Sequence, residues 1–321
     1  MSSQGETALV TGGAGFIGSH LARRLLDDGY AVRVLDNFAT GRRENLGSIA
    51  DEIELVEGDI QSYERVHAAI RGCDLVFHEA ALPSVPRSIQ DPLTSTSVNV
   101  TGTLNVLLAA RDAGVRRVVS ASSSSVYGAN PELPKSEDLP ALPMSPYAVS
   151  KLAAEGFCRS FTQVYGLDTV ALRYFNVFGP GQDPNSQYSA VIPSFITAYL
   201  TQRSPIIHGD GEQSRDFCYI ENTIDANLLA ATAGDEVAGE AFNIACGARI
   251  SLNGMLAELR EHTGIELEPT HVDARPGDVR HSQADITKAR TRLGYAPRIT
   301  AEEGLRLAYA AYAGDASGHI A

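Results

Sequence analysis

A chain of 321 residues with 44% hydrophobic and 20% charged side chains can bury one large core or two modest ones and is expected to fold unaided. Its formal charge of −13, from 26 basic and 39 acidic residues, makes nucleic acid and anionic membrane surfaces poor partners. No apolar run approaches the ~20 residues of a membrane helix, nothing near Met1 has the form of a signal peptide, and Cys73, Cys158, Cys218 and Cys246 show no C-x-x-C spacing, so the expectation is a soluble cytoplasmic protein with buried free thiols.

After a polar leader, Thr7-Ala8-Leu9-Val10 reads as a short buried strand, followed at once by Thr11-Gly12-Gly13-Ala14-Gly15-Phe16-Ile17-Gly18. Gly13, Gly15 and Gly18 match G-x-G-x-x-G, and Gly12, Gly15 and Gly18 match G-x-x-G-x-x-G. Such glycines permit a tight turn, so a pyrophosphate can sit on the N–H groups that open the next helix, where Phe16 and Ile17 stand. That amphipathic helix stops at Asp28-Gly29. A second strand, Ala31 to Leu35, delivers Asp36, whose carboxylate can accept hydrogen bonds from both hydroxyls of an adenosine ribose. This favours NAD over NADP. Arg42 and Arg43 pull the other way, since arginines there can hold a 2′-phosphate, but Asp36 repels one. Asn37 and Gly41, in the same loop, complete this side of the cofactor site.

Ile53 to Val56 is a third strand, followed by Gly58-Asp59-Ile60, a carboxylate and an apolar wall suited to an adenine ring. Leu75 to His78 is a fourth, running into Glu79-Ala80-Ala81, where Ala80 and Ala81 let a cofactor lie against the backbone; His78 reads as a packed strand-end residue rather than a catalyst. A helical pattern from Thr94 to Ala113 carries Asn99 and ends at Gly114, and Val115 to Val119 is a fifth strand leading to the serine run Ser122 to Ser125. In a doubly wound sheet, ligands bind beyond the carboxyl ends of the strands, and all these motifs lie at such ends.

Ser145 is a good N-cap and Pro146 suits the first helical position, so a helix starts here. Tyr147 and Lys151 then share a face one turn apart. A phenol acts as a base near neutral pH only if a nearby positive charge stabilises its phenolate, and Lys151 can supply one. Only three lysines occur (Lys135, Lys151, Lys288) against 12 tyrosines, so the pair arises by chance with odds of about one in nine; its weight comes from the upstream cofactor motifs. Asp168 to Phe175 is a sixth strand, after which regular α/β alternation stops at the turn-rich stretch Gly181 to Asn185. The expected division is a cofactor domain over 1–179, rejoined by segments about 221–247 (helix Glu221 to Ala233, strand Ala241 to Ala245), and a smaller domain over 180–321 with frayed residues from Gly314.

The glycine turn, Asp36, Asn99, the serine run with Val126-Tyr127-Gly128, the Tyr-x-x-x-Lys helix and Arg173 to Pro180 together resemble the extended short-chain dehydrogenase/reductase family over most of the chain. The resemblance implies an α/β fold, a Rossmann-like doubly wound parallel sheet with a smaller α/β substrate domain, and a bound NAD. It makes Tyr147 the acid/base, Lys151 the residue that lowers the tyrosine pKa and holds the nicotinamide ribose, and Ser123 a partner of the reacting hydroxyl. Asn99 and Tyr174 fall at the cofactor and Asn176 at the substrate phosphates. The segments around Arg215 and Arg275 resemble nucleotide-sugar members, in which such arginines clamp a diphosphate and the carboxylate at the Asp278 position bonds a ribose. Ala190, Val191, Ile206 and His208 then flank the base, uracil, and Ser282 lines the sugar pocket, its small size leaving room for an N-acetyl group. Arg215 to Ala233 and Arg280 to Asp285 look most similar to bacterial UDP-N-acetylglucosamine 4-epimerases.

The residues beside Ser123 separate the reactions open to such a family. Dehydratases place an acid pair there and decarboxylases a nearby glutamate; this chain has Ser124 and Ser125, which position a substrate but do little acid/base work. The expected reaction is C4 epimerisation of UDP-sugars without a metal. A nucleotide-sugar 4,6-dehydratase and a non-catalytic NAD-binding regulator are the alternatives. The family commonly pairs as a homodimer through the helices following Thr94 and Tyr147, with Phe157, Phe161 and Val164 as the apolar surface.

Overall fold

The computed structural model describes residues 5–183, 191–274 and 279–318. In chain order the first half runs β1 (Thr7–Thr11), α1 (Phe16–Asp27), β2 (Ala31–Asp36), β3 (Glu54–Glu57), α2 (Tyr63–Ile70), β4 (Leu75–His78), α3 (Val85–Gln90), α4 (Pro92–Thr96), α5 (Gly102–Ala113), β5 (Arg117–Ser123), α6 (Pro146–Tyr165) and β6 (Asp168–Tyr174). The second half runs β7 (Val177–Phe178), α7 (Val191–Leu200), β8 (Ile206–His208), β9 (Ser214–Arg215), β10 (Cys218–Tyr219), α8 (Ile220–Thr232), β11 (Glu240–Ile244), β12 (Ile250–Ser251), α9 (Leu252–Thr263), β13 (Thr270–Val272), α10 (Thr287–Leu293) and α11 (Ala301–Gly318).

Seven parallel strands in the order β11-β6-β5-β4-β1-β2-β3 form the central sheet. The strand order reverses between β1 and β4, and the crevice at such a switch point is where a doubly wound sheet takes its ligand. One face of the sheet packs Leu21, Leu25 and Ala226 of α1 and α8; the other packs Val66, Val106 and Phe161 of α2, α5 and α6. Beyond β6 the short pairs β10-β7, β12-β9 and β13-β8 stand apart from the main sheet, while α8 and β11 return to it. Asp216 ties the two regions together: its fully buried carboxylate accepts hydrogen bonds from the backbone N–H of Cys246 (2.9 Å), Gly247 (3.0 Å) and Ala284 (3.1 Å).

Three local features differ from the sequence-based expectation. The fifth strand extends past Val119 to Ser123, because Ser122 pairs with Arg173 and Ser123 with Tyr174 in the register with β6, and the Ser122 hydroxyl finds the Glu155 carboxylate at 2.5 Å. The helical run from Thr94 is interrupted by a π turn over Ser97–Thr101, which carries Asn99. The last helix continues through Gly318, past the point where fraying was expected. The helix of Tyr147 starts as expected, with the Ser145 hydroxyl accepting from the Ala148 N–H at 3.2 Å and Pro146 in the first turn.

Candidate active site

A cleft of about 620 Å³ opens along the carboxyl ends of β1, β2, β4, β5 and β6. Gly12, Gly15, Phe16, Ile17 and Gly18 line one end, Asp36, Asn37, Asp59 and Ile60 its outer flank, and Ala80 and Ala81 its floor. Ser123, Tyr147, Lys151, Tyr174 and Asn176 line the opposite end. Two glycines are required sterically: a Cβ on Gly18 meets the Gly12 carbonyl oxygen at 2.2 Å, and one on Gly12, where φ is +69°, meets the Ala80 backbone at 2.7 Å.

The inner end holds the chemistry. Ser123 accepts a hydrogen bond from the Ser125 N–H at 3.2 Å, and its hydroxyl also meets the Tyr147 phenol. Burial raises the Tyr147 pKa above its ordinary value, and the bond to Ser123 works against that rise. Lys151, buried, donates from Nζ to the Ala121 carbonyl at 2.8 Å, and burial lowers its pKa to about 8 while Glu79 pulls it back up. The phenol is held as an acid by the protein alone. A cationic ring bound against it would join Lys151 in favouring the phenolate.

His78 is structural. Its Nε2 lies 2.9 Å from the Thr103 hydroxyl, which already donates to the Asn99 carbonyl and therefore accepts from the imidazole; Nδ1 then accepts from Thr11 at 2.8 Å. Burial lowers its pKa to about 3, so it stays neutral. Asn99 stands behind the cleft wall: Oδ1 accepts from the Leu82 N–H at 2.8 Å, and Nδ2 donates to the Leu82 carbonyl and the Ser150 hydroxyl, both at 3.1 Å. It braces the floor loop against the helix of Tyr147.

A family model described as the NAD dependent epimerase/dehydratase family matches residues 8–245. The chain belongs to that family. A UDP-glucose 4-epimerase of Mycolicibacterium smegmatis is 40% identical over 306 residues, covering 92% of this chain and 95% of the relative. The solved structure of a UDP-N-acetylglucosamine 4-epimerase from Methanobrevibacter ruminantium, in complex with UDP-N-acetylmuramic acid, is similar with a TM-score of 0.92 at 38% identity, covering 97% of this chain and 99% of the other. A Thermus thermophilus UDP-glucose 4-epimerase in complex with NAD has a TM-score of 0.88 at 36% identity, with 96% and 99% covered.

For a member of this NAD-dependent family, the cleft fits the dinucleotide. The first turn of α1 has no capping side chain and no acidic residue, which leaves its N–H groups for a pyrophosphate. Asp36 is steered by the N–H groups of Ala14 (2.9 Å) and Phe38 (2.8 Å), which hold its carboxylate at the cleft wall for a ribose. Arg42 is paired with Asp183 and Arg43 with Glu57, the latter also stacked 4.0 Å over the Phe38 ring. Both arginines are thereby engaged by carboxylates, which fits NAD rather than its 2′-phosphate.

Several residues singled out from the sequence stand elsewhere. Gly41 packs on Ala14, where a Cβ would sit 2.9 Å away, outside the cleft wall. Val191 opens α7, Ile206 and His208 lie on β8, and Arg215 on β9 donates to the Ser214 and Arg280 carbonyls; Ser282 bonds the Ser214 carbonyl through its N–H at 3.0 Å. None of these five lines the described cleft. Ala190, Arg275 and Asp278 lie outside the described residues.

Sequence reasoning passed over Glu79 as part of a small-residue floor. The structure turns its carboxylate toward Tyr174, whose hydroxyl donates to Oε1 at 2.8 Å, and burial raises its pKa to about 7. A carboxyl whose folded pKa lies above its ordinary 4.5 stabilises the fold fully below about pH 4.5, and that contribution is lost as pH rises through about 7. Glu79→Gln should therefore show a smaller fall in melting temperature than the unmodified cofactor-free chain between about pH 5 and about pH 7.5. Equal falls in the two proteins contradict the assignment.

Proposed function

We propose that this chain is a NAD-dependent UDP-hexose 4-epimerase that interconverts UDP-N-acetylglucosamine with its C4 epimer and also accepts UDP-glucose and UDP-galactose. The observation that carries the reading is the meeting of Ser123, Tyr147 and Lys151 at the inner end of a dinucleotide cleft, with Ser124 and Ser125 rather than an acid pair beside them. The cleft's inner carboxylate, Glu79, is committed to Tyr174 and so is not poised to expel water from a sugar. Similarity to relatives named for UDP-glucose and UDP-N-acetylglucosamine epimerisation supports the same reading.

In this mechanism Ser123 and Tyr147 hydrogen-bond the sugar 4-hydroxyl. Tyr147, as phenolate, takes the hydroxyl proton, and Lys151 stabilises that phenolate. NAD, which Gly12, Gly15, Asp36 and Asp59 would help to hold in the cleft, would supply the reversible hydride acceptor for C4. Asn176, held at φ +35° with its Nδ2 donating to the Asp216 carbonyl at 3.0 Å, lines the cleft, and the diphosphate of the 4-keto sugar would pivot beside it. Tyr147 then returns its proton to the opposite epimer. Incubation with UDP-sugars decides the matter: a C4 epimer supports the reading, a 4-keto-6-deoxy product makes the chain a dehydratase, and no product makes it a binding protein.

Ser282 is proposed as the gate for the acetylated substrate, in keeping with its small size and half-buried position beside Ser214. Ser282→Tyr should lower UDP-N-acetylglucosamine turnover roughly 10- to 100-fold with UDP-glucose turnover retained, since overfilling removes a fit only the larger sugar needs. Equal loss on both substrates refutes the gate.

We read the protein as a cytoplasmic homodimer; no described helix is long and apolar enough to cross a membrane. The surface that supports pairing differs from the expected one: Phe161 is buried in the core and Phe157 packs against it, leaving Val164 exposed. Ile89, Leu93, Met144 and Val149 are exposed around the adjoining helices α3, α4 and α6, and this apolar face is where two copies would pair. Light scattering at micromolar concentration should give twice the chain mass, and a monomer mass is the contrary result.

A further inference from the structure

Among the described residues, four buried side-chain atoms lack a hydrogen-bond partner: Ser125 Oγ, Asp168 Oδ1, Gln182 Oε1 and Arg260 Nε. Of these residues only Gln182 lines the cleft. A buried amide oxygen without a donor is a standing cost to the fold, and beside an open cleft it marks the place of a donor that a ligand brings. The sense of the amide is set by Val177, whose carbonyl takes Nε2 at 3.5 Å; turning the amide over would set two oxygens against each other. That contact is long and the terminal torsion of a glutamine is soft, so a small turn presents Oε1 to the cleft.

The backbone that carries Gln182 is fixed on both sides. His20 Nε2, on the helix that opens with the glycine turn, donates to the Pro180 carbonyl at 2.9 Å, and the Tyr312 hydroxyl donates to the Gln182 carbonyl. The chain turns back at Gly181, where φ is +78°, and Asp183 then pairs with Arg42. Gln182 thus stands with α1 and β7, whereas Ser123 and Tyr147, which meet the sugar hydroxyl in the proposed mechanism, stand on β5 and α6.

We propose that Gln182 positions the cofactor, its Oε1 accepting an N–H of the nicotinamide carboxamide; this rests on the NAD-dependent reading of the cleft. Phosphates offer only acceptors, which excludes both diphosphates as the partner. The adenine amine and its ribose belong at the outer flank with Asp36 and Asp59, while Gln182 lies beside Val177, next to Asn176 at the inner end. The nicotinamide ribose falls to Lys151 on the family resemblance. The carboxamide is the cofactor donor that remains. Held at its N–H, it fixes the ring against rotation about its glycosidic bond, so one face of the ring stays turned to the sugar while the sugar itself changes face.

The test is a competition for the full chain between NAD and its 3-acetylpyridine analogue, in which a methyl replaces the carboxamide –NH2. The bound ratio is read by chromatography of the dinucleotides released after exchange reaches equilibrium. The unmodified chain should favour NAD, and in Gln182→Leu that preference should fall about tenfold. Gln182→Glu, which keeps an acceptor, should retain it, and Gln182→Met repeats the loss where Leu does not fold. Competition against the thionicotinamide analogue, which keeps the –NH2, should give one ratio in every variant. An unchanged preference in Gln182→Leu or Gln182→Met overturns the inference and leaves Oε1 to water, or to the sugar if UDP-N-acetylglucosamine binding falls instead. A ratio that moves equally against both analogues overturns it too. Because no sugar turns over, a chain that failed to epimerise UDP-hexoses would still give either answer, and one that held neither dinucleotide would overturn the cofactor reading itself.

Discussion

Tyr147→Phe should lower the epimerisation rate by about 10³-fold or more while binding NAD and UDP-hexose close to normally. The phenol oxygen is the only group removed, and it is the atom that takes the 4-hydroxyl proton in the proposed mechanism. The ring stays in place because the helix start does not depend on the hydroxyl: the Ser88 hydroxyl accepts the Tyr147 N–H at 3.0 Å and Ser145 caps the turn. Loss of a general acid/base typically costs 10²- to 10⁴-fold, and the neighbours are poor substitutes: the Ser123 hydroxyl is a far weaker acid, and Lys151 is anchored by one of its N–H donors to the Ala121 carbonyl. Rates and cofactor content measured on the same preparation check this. Undiminished epimerisation in the variant sinks the mechanism.

The second large effect concerns stability. Asp216→Ala leaves the N–H groups of Cys246, Gly247 and Ala284, the last of them buried and the other two partly so, without their acceptor. An unsatisfied buried donor costs about 1–3 kcal/mol and a partly buried one less, so a loss of about 2 kcal/mol or more is expected. The effect reaches the cleft as well, because the Asp216 carbonyl accepts from Asn176. Urea unfolding measures the first consequence and the KM for UDP-sugar the second. A stability change under about 1 kcal/mol would mean that other acceptors take over.

What could be read from the chain lay within a turn or two of itself. Gly12 to Gly18 declares a tight turn because only glycine tolerates the Cβ clashes there, and Ser145-Pro146 declares a helix start, which places Tyr147 and Lys151 on one face whatever else the chain does. Asp36 follows from the strand that ends in it. These short-range rules located the cofactor cleft and its inner end, since parallel strands bring their carboxyl ends together once the doubly wound order is accepted.

The remainder depended on partners far along the chain. Glu79 meets Tyr174 across 95 residues, and no local pattern separates that carboxylate from a solvated one. Asp216 finds donors 30 to 68 residues away, so its role as a tie is invisible beside the more conspicuous Arg215. Phe161 fits an apolar dimer stripe equally well by periodicity, but the sheet core takes it, leaving the exposed face to Ile89, Leu93 and Val149. The serine run ends a strand rather than starting a loop, because Glu155 on α6 offers Ser122 an acceptor that polarity alone does not reveal. Local backbone geometry is dictated by residues in sequence contact. Charge placement, burial and the satisfaction of polar groups are decided by which distant segments the fold brings within hydrogen-bonding distance.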